Sequence, residues 1–228
     1  AETGAPFIFM NSANSLRDLT TMVHEGGHAI HTFLTADLEL NDFKHCPSEV
    51  AELASMSMEL ISMDNWDVYF DNEEDLARAK EHQLERVISI FPWIAIIDKF
   101  QHWVYEHPMH THEERTAAWV AVLNEFKDDV INYDGLDNYR SNAWQRQLHL
   151  FEVPFYYIEY GIAQLGAIAV WRNYKLNKHK AVEDYKNALK LGYTKSIPEM
   201  YKAAGIEFNF TAAYVKELMD FLNKEIEN

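Results

Sequence analysis

The chain is poor in the residues that interrupt helices and in those that staple folds together. Its 228 residues include 8 glycines, 6 prolines and one cysteine, Cys46. A lone cysteine excludes an internal disulfide and suits a reducing, cytoplasmic compartment; placed just before an acidic helix, it reads as a small packing residue rather than a nucleophile. Positive charge is scarce as well. Lys and Arg number 20 against 36 Asp and Glu, a formal charge of −16 at pH 7, which argues against nucleic acid and anionic membrane surfaces as partners. No apolar run approaches the roughly 18–20 residues of a membrane span. Apolar side chains, by contrast, make up 48% of the sequence and aromatics 14%, enough for a sizeable core.

With few breakers and long stretches of helical apolar spacing, the expected class is all-α, a compact multi-helix arrangement. No internal repeat or low-complexity linker divides the chain, so one helical body is the simplest description. Helices are expected near residues 15–36, 48–63, 73–106, 112–131, 137–150, 154–176, 178–191, 196–204 and 211–226. Residues 65–72 and 132–136 read as loops, the second carrying an Asp134-Gly135 turn. Gly192 and Gly205 read as helix C-caps.

The first expected helix carries His24-Glu25-Gly26-Gly27-His28. Residues four apart on a helix have Cβ atoms about 5–6 Å apart on one face, so both imidazoles can be directed at one ion. Glu25 can swing toward that metal and take a proton from a zinc-bound water. Asn14 and Ser15 are N-cap candidates, and Leu16, Leu19, Val23, Ile30 and Phe33 follow in near-helical spacing, which puts the motif inside a helix. Gly26 and Gly27 each cost roughly 1 kcal/mol in a helix interior relative to alanine. They suggest close approach of another backbone, a substrate or simple packing.

A catalytic zinc site wants a third protein ligand and one open position. The helix after Pro47 offers Glu49, Glu52 and Glu59, interleaved with Val50, Leu53, Met56 and Leu60. Carboxylates on a mostly buried helix need something positive to face. Spacing alone does not choose among the three.

These words resemble the oligoendopeptidase F and thimet oligopeptidase group of zinc metallopeptidases. His24 to His31 is similar to the family's His-Glu-x-Gly-His-x-x-His signature, and Glu52-Leu53-Ala54-Ser55-Met56-Ser57-Met58-Glu59 to its downstream Glu-x-Ala/Pro-Ser-x-x-x-Glu element. The resemblance implies a zincin-like catalytic domain with one zinc ion (Zn2+) held by His24, His28 and Glu52, and Glu25 as general base. It places Glu59 and His31 behind the ligands, orienting them. The stretch from His149 through Tyr156, Tyr157 and Tyr160 resembles the family's histidine and tyrosine-rich helix. His149 would grip the substrate backbone or the oxyanion, and a phenol O–H would stabilise that oxyanion; helix spacing pairs Tyr160 with either Tyr156 or Tyr157 and leaves the choice open.

The activity so implied is endopeptidase cleavage of short oligopeptides. A zinc carboxypeptidase is one alternative, and a non-enzymatic helical module holding metal for stability is another. Only about twenty residues precede the motif, where the family carries a long helical region, so residues 1–228 are expected to be the carboxy-terminal, metal-binding part of a larger peptidase. His107, His110 and His112 form a second histidine group that resembles a helix-to-helix connection, with Thr111 as its N-cap, rather than a metal site.

Overall fold

The computed structural model describes residues 5–126 and 130–227, which contain helices and no strand. In chain order the α-helices are α1 (Leu16–Leu34), α2 (Ser48–Ser62), α3 (Glu73–Glu106), α4 (His112–Glu125), α5 (Asp137–Ser141), α6 (His149–Glu152), α7 (Ile158–Leu176), α8 (Lys178–Lys190), α9 (Ile197–Ala203) and α10 (Ala212–Ile226). Short 3-10 turns cover Asn41–Lys44, Met63–Tyr69 and Ala143–Arg146. The all-α expectation is met. Among the described residues, no helix is long and apolar enough to cross a membrane.

Where one body was the simplest expectation, the chain divides into two compact units, Ala1–Val87 with Ile162–Asn228, and Ile88–Gly161. The first is built on α2, whose Val50, Leu53, Ala54 and Leu60 are almost fully buried together with Ile168 of α7, Leu189 of α8 and Leu218 of α10. Two buried tyrosines reach α2 from outside it. Tyr185 donates its hydroxyl to the Ala54 carbonyl at 2.7 Å, and Tyr201 donates to the Glu49 carbonyl at 3.1 Å. Each hydroxyl thereby satisfies a buried polar atom while tying a distant helix to α2. The second unit packs Ile96, Ile97 and Phe100 of α3 against Trp119 and Val122 of α4 and Trp144.

Local sequence accounts for most helix ends. Ser15 is the N-cap of α1, and the Asp18 carboxylate accepts the Ser15 backbone N–H at 3.1 Å. Thr111 caps α4 through a reciprocal pair with Glu114, as expected. Gly192 and Gly205 take left-handed φ values of 52° and 74° just beyond α8 and α9.

Four expectations are corrected. Residues 137–150 are not one helix, because Asn142 turns its amide back onto the Asn138 carbonyl at 2.8 Å and competes with the backbone ladder, splitting the stretch into α5, a 3-10 turn and the start of α6. The helix expected from 154 begins only at Ile158, since Phe155 adopts φ 60° with its N–H donated to Gln101 Oε1 at 2.9 Å. The loop expected from 65 is largely the Met63–Tyr69 turn, where buried Trp66 donates its indole N–H to Ser62. The expected helix over 112–131 ends at Glu125, and residues 127–129 lie outside the described part.

Candidate metal centre

The centre forms where α1 lies along α2 in the first unit. Contact is closest at Gly27, where an added Cβ would sit 2.6 Å from Ser55 Cα and 2.7 Å from the Ala54 carbonyl oxygen. Only a residue without a side chain lets the two backbones meet this way. Gly26, one residue earlier, faces open space with nothing within 4 Å. Of the readings offered for the glycine pair, close backbone approach applies to Gly27.

This approach sets His24 and His28 over Glu52. His24 Nε2 lies 3.4 Å from Glu52 Oε2 and His28 Nε2 lies 4.0 Å from the same oxygen. Ligand atoms of the three residues fall within 4.8 Å of one another, which no other His, Cys, Asp or Glu group of three achieves among the described residues. Glu49 stays outside this group. The Glu52 carboxylate is buried and also accepts the Ser55 hydroxyl at 3.0 Å.

Behind the two histidines, Glu59 Oε1 accepts His24 Nδ1–H at 2.6 Å, which holds the ring with Nε2 directed at Glu52. The second oxygen of Glu59 accepts an amide N–H from Gln83 of α3 at 2.6 Å. Burial opposes charging of His24, but hydrogen bonds to Glu52 and Glu59 and their negative charges outweigh it and push its pKa up to about 10. His28 goes the other way, lowered chiefly by burial even with Glu52 beside it. For Glu52, burial raises the pKa, and the hydrogen bond and charge of His24 bring it below the usual value. Two imidazole nitrogens and a buried carboxylate thus converge on a space that favours positive charge, and this donor set fits zinc. Glu25 is half-buried on α1, close enough for its charge to act on His28.

His31, one turn past His28, turns elsewhere. Its Nε2 lies 3.4 Å from the Cys46 sulfur, and its ring is hydrogen-bonded to the Leu189 carbonyl of α8. Burial, with the nearby His28, depresses it to about 4, and burial raises the Cys46 thiol to about 11. Both are neutral at pH 7, and Cys46 is a packing partner. An unfolded imidazole takes up a proton near 6.5 whereas folded His31 does so only near 4, so between these values the unfolded chain binds more protons. Stability of the metal-free protein should therefore fall as pH drops through this window, by up to about 3 kcal/mol from this residue. Urea titrations at pH 7, 6 and 5 should show a shallower pH slope for His31→Phe; an unchanged slope rejects the assignment.

In the second unit, His149 collects all three tyrosines, with ring centroids 5.9 Å from Tyr156, 5.0 Å from Tyr157 and 5.7 Å from Tyr160. Tyr156 and Tyr157 precede the first residue of α7, yet both pairings read from spacing are made, with ring centroids 5.4 Å apart for Tyr156 and Tyr160 and 5.3 Å for Tyr157 and Tyr160. A hydrogen-bond chain sets the histidine. Trp93 donates to Gln147 Oε1 at 3.0 Å, Gln147 Nε2 donates to His149 Nδ1 at 2.6 Å, and His149 Nε2 then donates to the Tyr160 hydroxyl oxygen at 3.3 Å. His107 and His110 are used locally: His107 stacks on Trp103, and His110 accepts from Arg115 at 2.7 Å.

The model of peptidase family M3 matches residues 1–220. The chain belongs to that family. It is 26% identical over 215 residues to an oligoendopeptidase F homolog of Borreliella burgdorferi, covering 90% of this chain and 35% of the relative. Against oligopeptidase PepF of Bacillus subtilis it is 24% identical over 208 residues, 89% of this chain and 30% of that one. Among solved structures, PZ peptidase A with an inhibitor superposes with a TM-score of 0.88 at 30% identity, over 98% of this chain and 39% of that one. This M3 chain thus spans about a third of the length of the relatives it matches. The resemblance to the oligoendopeptidase F group, read from the two motifs, is borne out.

Four residues that shape these clusters escaped the sequence reading: Ser55, Gln83, Trp93 and Gln147. One of them left a trace. Ala79, Gln83 and Val87 share a face of α3 and all are buried, so Gln83 is a polar residue set into an apolar stripe.

Proposed function

We propose that this M3 chain carries the metal-binding part of a zinc-dependent oligopeptidase that hydrolyses short peptides in the cytoplasm. The observation that carries the reading is the convergence of His24 Nε2, His28 Nε2 and Glu52 Oε2, with His24 Nδ1 fastened to Glu59. These three residues would hold the ion. When bound, zinc would supply Lewis acidity toward a scissile carbonyl and make water a stronger acid, with a pKa of about 7. Glu25 takes a proton from the attacking water and returns it to the leaving amine. Ser55 and Glu59 keep Glu52 and His24 oriented. The resemblance assigns substrate binding to His149 and oxyanion stabilisation to a tyrosine among Tyr156, Tyr157 and Tyr160, and their packing as one cluster supports reading them as a single donor group. The names of the relatives, oligoendopeptidases among them, favour internal cleavage over carboxypeptidase action.

Metal analysis of the purified chain tests this directly. One zinc per chain is expected, and Glu52→Ala should lose more affinity than the 10–100-fold typical of changes behind a ligand. Zinc retained at full affinity by Glu52→Ala would overturn the ligand set. Cleavage of a fluorogenic peptide blocked at both ends separates endopeptidase from carboxypeptidase activity.

A further inference from the structure

We propose that Gln83 is a positioning residue for the metal centre, its amide pinning the Glu59 carboxylate that in turn fixes the His24 imidazole. The inference rests on the zinc reading above and extends it by one residue and one helix. Glu59 is held at both oxygens: Oε1 accepts from His24 Nδ1 and Oε2 accepts from Gln83 Nε2, each at 2.6 Å. With both oxygens engaged, the carboxylate plane has little freedom to turn, and the ring it orients inherits that constraint. The amide orientation follows from the chemistry, because the flipped amide would set an oxygen against a carboxylate oxygen.

Packing does not explain a glutamine here. Gln83 is 1% exposed between Ala79 and Val87, and its own Oε1 is buried without a hydrogen-bond partner among the described residues. A methionine or leucine of similar size would fill the space and remove the unpaired Oε1, at the expense only of the donor to Glu59. The one contact that distinguishes glutamine from those residues is the bond to Glu59. One turn along α3, Arg86 donates to Thr20 Oγ1 at 2.9 Å, so this part of α3 is also fastened to the metal-motif helix α1.

The test uses zinc affinity, measured on the whole chain by competition with a chromophoric chelator, and a thermal midpoint for the metal-free protein. Gln83→Met should lower zinc affinity about 10–100-fold while the metal-free midpoint stays equal or rises. In a Glu59→Ala background the same exchange should change affinity by less than about threefold, since a residue acting through Glu59 has nothing left to act on. Gln83→Leu repeats the comparison if the thioether packs poorly. Unchanged affinity in Gln83→Met, losses that multiply in the double variant, or a loss matched by a lower metal-free midpoint would each overturn the positioning role. A wild-type chain that binds no zinc overturns the metal reading and this inference together, whereas zinc bound equally by wild type and Gln83→Met overturns the inference alone.

Discussion

Glu25→Gln is expected to lower peptide turnover by about 10²–10⁴-fold, the usual contribution of a positioned general base, with zinc still bound. The exchange keeps the size of the side chain and removes only its ability to accept a proton. Glu25 is well placed for that job. It follows His24 on α1, is half-buried, and makes no hydrogen bond or ion pair to other described residues, so its carboxylate is not committed to holding the fold. Two of its neighbours in the centre differ in this respect: Glu52 is tied to Ser55, and His24 to Glu59. Turnover and bound zinc should be measured on one preparation. Equal activity in the variant and the parent sinks the proposed base, and loss of zinc along with activity would make Glu25 a contributor to metal binding.

Gly27→Ala should be strongly damaging although it adds a single methyl group. Alanine is ordinarily the better helix former by about 1 kcal/mol, and at Gly26, which faces open space, Gly26→Ala should stabilise the protein by that order. At Gly27 the added Cβ meets Ser55 Cα and the Ala54 carbonyl at 2.6 and 2.7 Å. Both are backbone atoms of a buried helix and cannot rotate aside. Helix α1 must instead draw back from α2, at a cost of about 1–3 kcal/mol or more for overpacking. Because the proposed ligands are divided between these helices, His24 and His28 on one and Glu52 on the other, the same retreat separates the donor atoms. Chemical denaturation should give opposite signs for the two alanines, and zinc affinity should fall only for Gly27→Ala. Matching behaviour at the two positions would show that the helices are free to separate.

The paired case shows how far sequence carries here. Gly26 and Gly27 are indistinguishable as letters, and nothing local says which faces α2. The HEGGH helix itself was legible, because i and i+4 are neighbours on any helix, and the cap at Ser15 and the turns at Gly192 and Gly205 are equally local. Choosing Glu52 over Glu49 and Glu59 was not a matter of spacing; the family resemblance chose it, and the structure brings Glu52 beside both histidines while placing Glu59 on the far nitrogen of His24. His31 was expected behind a ligand, yet it contacts Cys46 and the Leu189 carbonyl, groups brought to it by the packing of other segments. The stretch from 137 to 160 misled for the same reason. Its apolar spacing suits helices, but the bond from the Phe155 N–H to Gln101, 54 residues away, holds a left-handed turn that no local pattern announces.

By itself, then, the sequence determined an all-α chain, the helix that carries two histidines and a glutamate, and the family to which those words belong, since periodicity, caps and motif spacing act over a few residues. Tertiary structure alone decided which glycine lets α1 touch α2 and that Gln83 reaches Glu59. Each of those depends on atoms from separate helices arriving within about 3–4 Å, a condition set by how whole helices pack rather than by any short run of residues.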